Sequence, residues 1–279
     1  MRELFTRLYY TLKIRLLRLT IMRRAADVYI ISYPKSGRTW LRVLVGKALC
    51  LTYGLPDGQM LDTYRLTAAA GILRAHFVHD FSEILAAIPY DRLPTDKTEY
   101  AIKKVIFVVR DIRDVLVSSY FQATRRTNKF RGPISDFIRS DRFGVKKVAT
   151  FYNIWHRNRH VPQDFLLLSY EEMHANAEAA LAEALRFMGV DEIDSYTLKE
   201  AVTFASFNNM KKMEADGYFK DPRMQPTDAN DEESFKVRKG VVGGYAAYLS
   251  EADIQYIDKI VAEMGCSLMQ GQTVGRHSL

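Results

Sequence analysis

Short apolar runs separated by segments of helical period set the pattern of this chain. Asp27–Tyr33 (DVYIISY) reads as a buried strand, and apolar positions at helical spacing run from about Arg38 to Leu51. Residues 53–68, with Gly54, Pro56, Asp57 and Gly58, predict a loop. Ile72–His79 (ILRAHFVH) predicts a second strand, and Phe81–Ile88 a short helix closed by Pro89. Lys104–Val109 (KVIFVV) has the continuous apolar character of a strand buried on both faces. Asp111 then caps a helix running to about Arg126, with further helices at 133–140 and 144–160. Phe165–Ser169 (FLLLS) is a fourth strand, and helices near 175–188, 196–204 and 251–264 complete the chain. Residues 216–240 are charged, contain Pro222 and Pro226, and predict a long surface loop.

Strands alternating with helices predict an α/β fold, a single domain with a central parallel sheet flanked by helices. Ligands of such sheets bind at the carboxyl ends of the strands. That rule singles out Tyr33–Trp40, His76–Asp80 and Arg110–Ser119, each directly after a strand.

Length and composition narrow the class. A chain of 279 residues that is 48% hydrophobic buries a full core, which excludes wholesale disorder. Its two cysteines, Cys50 and Cys266, form no metal or redox pair and fit a reducing, cytoplasmic setting. The charge is unevenly placed. Residues 1–24 carry Arg2, Arg7, Lys13, Arg15, Arg18, Arg23 and Arg24 against Glu3, whereas the whole chain is only +7. The remainder is near neutral, so nucleic acid is not an expected partner. Within 1–24, Leu4, Leu8, Leu12, Leu16 and Leu19 recur at helical spacing, which predicts a basic amphipathic helix ahead of a domain at 25–279. Either an anionic membrane surface or the domain itself could receive that helix. No run of 18 apolar residues predicts a membrane span, and the interrupting Lys13, Arg15 and Arg18 disfavour a cleaved signal peptide.

The strongest chemical signal lies after the first strand. Tyr33–Trp40 (YPKSGRTW) is a P-loop-like strand–loop–helix, in which a lysine, hydroxyls and helix-terminal N–H groups form an anion site. It is not a Walker A loop, because Tyr29 and Pro34 stand where that motif requires glycine.

Together with two later segments, this loop resembles the PAPS-dependent sulfotransferase family, PAPS being 3′-phosphoadenosine 5′-phosphosulfate. YPKSGRTW is similar to that family's 5′-phosphosulfate loop. Val105–Ser119 (VIFVVRDIRDVLVSS) resembles its 3′-phosphate segment, and Arg238–Gly243 (RKGVVG) its C-terminal phosphate-clamping element. The resemblance covers roughly 27–265 and implies the cofactor-binding residues Lys35, Ser36, Gly37, Arg38, Thr39, Trp40, Arg110, Ser118, Tyr170, Phe207, Arg238, Lys239 and Gly240. Trp40 and Phe207 are the implied adenine-stacking rings, and Tyr170 an implied contact to the base. Arg38 departs from the family's usual threonine, and Ala205 stands where a threonine is often found.

The implied activity is transfer of a sulfuryl group from PAPS to a hydroxyl or amine of a small-molecule, lipid or glycan acceptor. PAPS is the co-substrate and no metal is expected, since Lys35 can carry the leaving-group charge. A small-molecule kinase or other nucleotide-dependent transferase is the competing reading. The acceptor proton needs a base that titrates near pH 6–7, which suits histidine. His79 ends the second strand and is the expected base; His76, on the opposite face of the strand, is the competing candidate.

Overall fold

The four apolar runs form one parallel sheet, and the two central runs, Val28–Ser32 and Lys104–Val109, are buried on both faces. The computed structural model describes residues 25–266 and Leu268; the helix expected over 1–24 lies outside the described residues. The strands are β1 (Val28–Ser32), β2 (Ala75–Val78), β3 (Lys104–Val109) and β4 (Asp164–Ser169), in the order β2-β1-β3-β4. All pairings are parallel, with Val28 opposite both Ala75 and Lys104, and Lys104 opposite Asp164.

Alternation along the strands divides two cores. Tyr29, Ile31, Val105 and Phe107 pack on one face, with Trp155 and Phe151. Val28, Ile30, Ile106 and Val108 pack on the other, with Leu41 and Leu44 of the first helix. Chain order makes β1 turn back to β2 on one side, whereas β3 proceeds to β4 on the other. The connections after β1 and β3 therefore diverge, and the crevice between them is the switch point where such sheets take ligands.

Ten α-helices are described, in chain order: α1 (Arg38–Tyr53), α2 (Thr63–Ala69), α3 (Ile112–Phe121), α4 (Ile134–Arg139), α5 (Val145–Arg157), α6 (Tyr170–Ala175), α7 (Ala177–Phe187), α8 (Ser195–Phe204), α9 (Phe207–Ala215) and α10 (Glu251–Glu263). The predicted helix ahead of Arg126 divides into α3, capped by the Asp111 side chain on the Arg113 N–H, and a π-helical turn, Gln122–Arg126. Three helices differ from expectation, and one is α6, directly after β4, started by the Ser169 side chain, which accepts from the Glu172 N–H. α2 occupies the predicted loop, started by the Asp62 side chain, which accepts from the Arg65 N–H. α9 had no recognisable apolar period. The predicted helix at 81–88 is instead a set of turns with positive φ at Asp80, Phe81 and Ala87. The 216–240 segment is the expected loop, carrying only short 3₁₀ turns.

A buried ion pair explains why the chain breaks at 80 rather than turning into a helix. The Asp80 carboxylate lies 2.7 Å from Lys97 Nζ and accepts bonds of 3.0 Å from both Tyr100 OH and Trp155 Nε1. Asp80 and Lys97 side chains are only 1% and 2% exposed. This network ties the end of β2 to α5 and to the connection before β3. We predict that Lys97→Met destabilises the protein by about 3–5 kcal/mol, by leaving a buried carboxylate without its counter-charge. Lys97→Met combined with Asp80→Asn should recover part of that loss. Urea denaturation of the three proteins checks this, and a fully additive double variant would reject the coupling.

Candidate active site

The turn after β1 has an unusual backbone. Lys35 and Gly37 both have positive φ, 72° and 92°, flanking Ser36. Alternating conformations of this kind aim successive N–H groups into one concavity, an arrangement suited to anions. A side chain at residue 37 is also excluded by space, because its Cβ would lie 2.6 Å from the Tyr170 ring. Ser36 is fully buried, with its hydroxyl 3.3 Å from Tyr152 OH. Tyr152 OH also accepts from the Arg110 N–H and donates to the Arg110 carbonyl, each at 3.0 Å. Tyr152 of α5 thus joins the turns after β1 and β3 from below.

Every other expected residue, His79 included, lines a single cavity of about 780 Å³ above this turn. Arg110 reaches it from the end of β3. Its guanidinium lies 4.2 Å over the Tyr170 ring, pairs with Asp114 at 3.3 Å, and donates to the Val241 carbonyl at 2.9 Å. Arg110 Nε is buried without a hydrogen-bond partner. Ser118 lies two turns further along α3 on the same wall. Asp114 fastens the C-terminal loop over this corner by accepting from the Gly243 and Tyr245 N–H groups, both at 2.9 Å.

Aromatic rings form the opposite side. Trp40 is held by its Nε1 donating to the Ala205 carbonyl at 3.0 Å, and packs edge-on to Tyr170 at 5.7 Å. Phe207 begins α9, and Gly240 lies against it so closely that a Cβ there would be 2.2 Å from the ring. Gly240 also has φ 63°, and its carbonyl accepts from His174 Nε2 at 3.1 Å. Arg238 is engaged by Glu233 at 3.0 Å and Tyr248 at 2.9 Å, and its Nε is buried without a partner. Lys239 lies 4.6 Å over the Tyr248 ring.

Cations outnumber carboxylates in this cavity. Burial, with the charges of Lys236, Arg126 and Arg238, holds the Lys35 ammonium well below the usual lysine value. Burial, with Arg38, Arg126 and Arg42, pushes Lys236 down to about 7. Arg126 bonds to the Ser234, Arg223 and Gln225 carbonyls and lies 3.6 Å from Glu214, so it clamps the 222–236 loop. Sequence reading missed Arg126, Lys236, His174 and Tyr152, because none belongs to a local motif, and Asp114, whose segment was read only for its arginine and serine. Only the basic character of the segments holding Arg126 and Lys236 gave any signal.

The two candidate histidines separate clearly. His79 Nδ1–H donates to the Ser32 carbonyl at 2.9 Å, across the β2–β1 junction. A carbonyl only accepts, so the bare nitrogen is Nε2. Burial and the charges of Arg38, Lys236 and Arg42 hold His79 well below the ordinary histidine value, outweighing the opposing Ser32 bond. His76 instead lines a second cavity, where it packs edge-on to Tyr64.

Comparison with known proteins agrees with this geometry. Residues 25–272 match the sulfotransferase domain family, so the chain belongs to that family. Sulfotransferase 2A1 of Homo sapiens is 26% identical over 259 residues, covering 86% of this chain and 84% of that protein. Cytosolic sulfotransferase 17 of Arabidopsis thaliana is 24% identical over 273 residues, covering 86% and 74%. A mouse sulfotransferase crystallised with adenosine 3′,5′-bisphosphate (PAP) superposes with a TM-score of 0.59 at 21% identity, covering 90% of this chain and 87% of that one. Among the described residues, no helix is long and apolar enough to cross a membrane.

Proposed function

We propose that this protein transfers the sulfuryl group of PAPS to a hydroxyl or amine of a small molecule in the cytosol, releasing PAP. The observation that carries this reading is the excess of cations at the ends of β1 and β3, beside two aromatic rings and a neutral histidine. Relatives named for flavonol and 3-beta-hydroxysteroid sulfation support a small-molecule acceptor. The lost glycines at positions 29 and 34 disfavour a nucleoside-triphosphate kinase.

The residue roles follow from where each side chain faces. Lys35, Thr39 and the N–H groups of the 35–37 turn receive the 5′-phosphosulfate, and Arg38 lines the acceptor side of the same cavity. Ser36, turned toward Tyr152, shapes that turn. Arg110, Ser118, Arg238 and Lys239 receive the 3′-phosphate. The orphaned Nε atoms of Arg110 and Arg238 are donors that an anion could satisfy. Trp40 and Phe207 flank adenine, Tyr170 contacts the base, and Gly240 lets the backbone lie flat on Phe207. In the reaction an acceptor oxygen or nitrogen bonds to sulfur while the bond from sulfur to the 5′-phosphate oxygen breaks. The acceptor proton passes to His79 Nε2, and Lys35 stabilises the departing phosphate.

Three measurements test this proposal. Arg110→Ala should weaken PAPS by about 2–4 kcal/mol, the scale of truncating one partner of a buried charged contact. Adenosine 5′-phosphosulfate, which lacks the 3′-phosphate, should lose far less; equal losses by calorimetry reject the role. His79→Ala should lower turnover by about 10²–10⁴-fold, whereas His76→Ala stays close to wild type. Because His79 is held low, it is already neutral at pH 7. The acid limb of kcat/KM should therefore fall below the ordinary histidine value of about 6.5. A limb well above that value, or an inactive His76→Ala with an active His79→Ala, would reverse the assignment. Residues 1–24 form a basic amphipathic segment that binds anionic membrane surfaces and could bring the enzyme to lipid or glycan acceptors. Deleting them should abolish co-sedimentation with phosphatidylserine vesicles at low salt and spare activity on a soluble acceptor. Unchanged sedimentation of the truncated protein would reject this.

A further inference from the structure

The cavity holds more positive charge than the co-substrate uses, and the surplus lies beside the proposed base. Of the cations lining it, Arg110, Arg126, Arg223 and Arg238 each have a carboxylate in contact: Asp114, Glu214, Asp221 and Glu233. Lys35 and Lys239 face the phosphates in the reading above. That leaves Arg38 and Lys236, for which no carboxylate lies within ion-pair distance among the described contacts.

These two are the lining charges that act on His79, together with Arg42 behind the wall. Glu83, which lines the same cavity, acts on Arg38 and offsets part of its charge. Glu214 offsets the other, that of Lys236, only in part. Its two oxygens are bound by the Lys236 and Val237 N–H groups at 2.5 and 2.8 Å, and it already faces Arg126. The Lys236 side chain thus enters the cavity from a backbone anchored by a buried carboxylate, with its ammonium directed among other cations. Like charges held together in a half-dry space are costly, and the arrangement is relieved by an anion between them. Apolar surface from Ile84 and Leu85 completes the same end of the cavity.

We propose that the acceptor is itself anionic: an alcohol or amine whose carboxylate or phosphate binds Lys236 and Arg38 while its nucleophile faces His79 Nε2. This rests on the sulfotransferase reading and assigns the class of acceptor. A neutral phenol or sterol would leave Lys236 and Arg38 with only the partial compensation that Glu214 and Glu83 supply.

The test uses the full chain with radiolabelled PAPS and matched acceptors. One set is 3-(4-hydroxyphenyl)propionate, its methyl ester and tyramine; the other is glucosamine 6-phosphate against glucosamine. PAP affinity is measured separately by calorimetry. The anionic member of at least one set should show kcat/KM about 10- to 100-fold above its neutral partner, the range of one charged hydrogen bond. Lys236→Met should collapse that ratio through KM, and Lys236→Glu should reverse it toward the cationic or neutral member. Equal kcat/KM across both sets, a ratio unmoved by both variants, or no binding or transfer of any anionic member to a PAPS-competent enzyme overturns the inference. A PAP affinity that falls by the same factor in Lys236→Met assigns Lys236 to the co-substrate and also overturns it. Failure of the wild-type protein to bind PAP at all instead overturns the sulfotransferase reading beneath it.

Discussion

Crowding of cations in excess of the carboxylates beside them is the constraint on which this molecule is organised. Lys35, Arg38, Arg126, Lys236 and Arg238 come from three separate segments, yet their charges act on one another across a single cavity. Burial and mutual repulsion lower the lysines among them, which destabilises the empty site. The surrounding fold must hold them there, and the same repulsion becomes attraction when a polyanion enters. A protein of this kind stores its binding energy as electrostatic frustration at the end of a rigid sheet.

The supports are buried polar groups placed one layer below the cavity. Tyr152 and Trp155 lie three residues apart on α5, so they present from one face. Tyr152 ties the β1 and β3 turns together, and Trp155 grips Asp80 just after His79. One helix thereby sets the spacing between the 35–37 turn and His79. Asp114 and Glu214 act likewise on the other side, each accepting two backbone N–H groups from the C-terminal loop. None of these four groups needs to touch a ligand. They fix the loops whose side chains do.

The long loop from 216 to 243 gains its order from such contacts rather than from regular structure. Arg126 bonds three of its carbonyls, Glu214 and Asp114 take its N–H groups, and Gly240 settles on Phe207. The π-helical turn at Gln122–Arg126 is what carries Arg126 out of the α3 register to reach it. An extra residue in a helical turn rotates the following side chains, which is why such turns recur at functional sites.

The sequence by itself determined the sheet, since VYIIS and KVIFVV carry unbroken apolar runs suited to doubly covered parallel strands, and FLLLS one suited to the half-buried edge beside them. It also determined the phosphate turn and the arginine after β3, because their chemistry is written in contiguous residues whose spacing does not depend on the rest of the chain. The histidine was half legible: two stood at the end of one strand, and only the hydrogen bond to the Ser32 carbonyl separates His79 from His76. The helix predicted over 81–88 failed because a local propensity was overridden by the buried Asp80–Lys97 pair. Lys236, Arg126, Asp114 and Tyr152 were decided by tertiary structure alone. Their meaning lies in which distant charge or N–H group each one meets, and that pairing exists only once the segments are brought together.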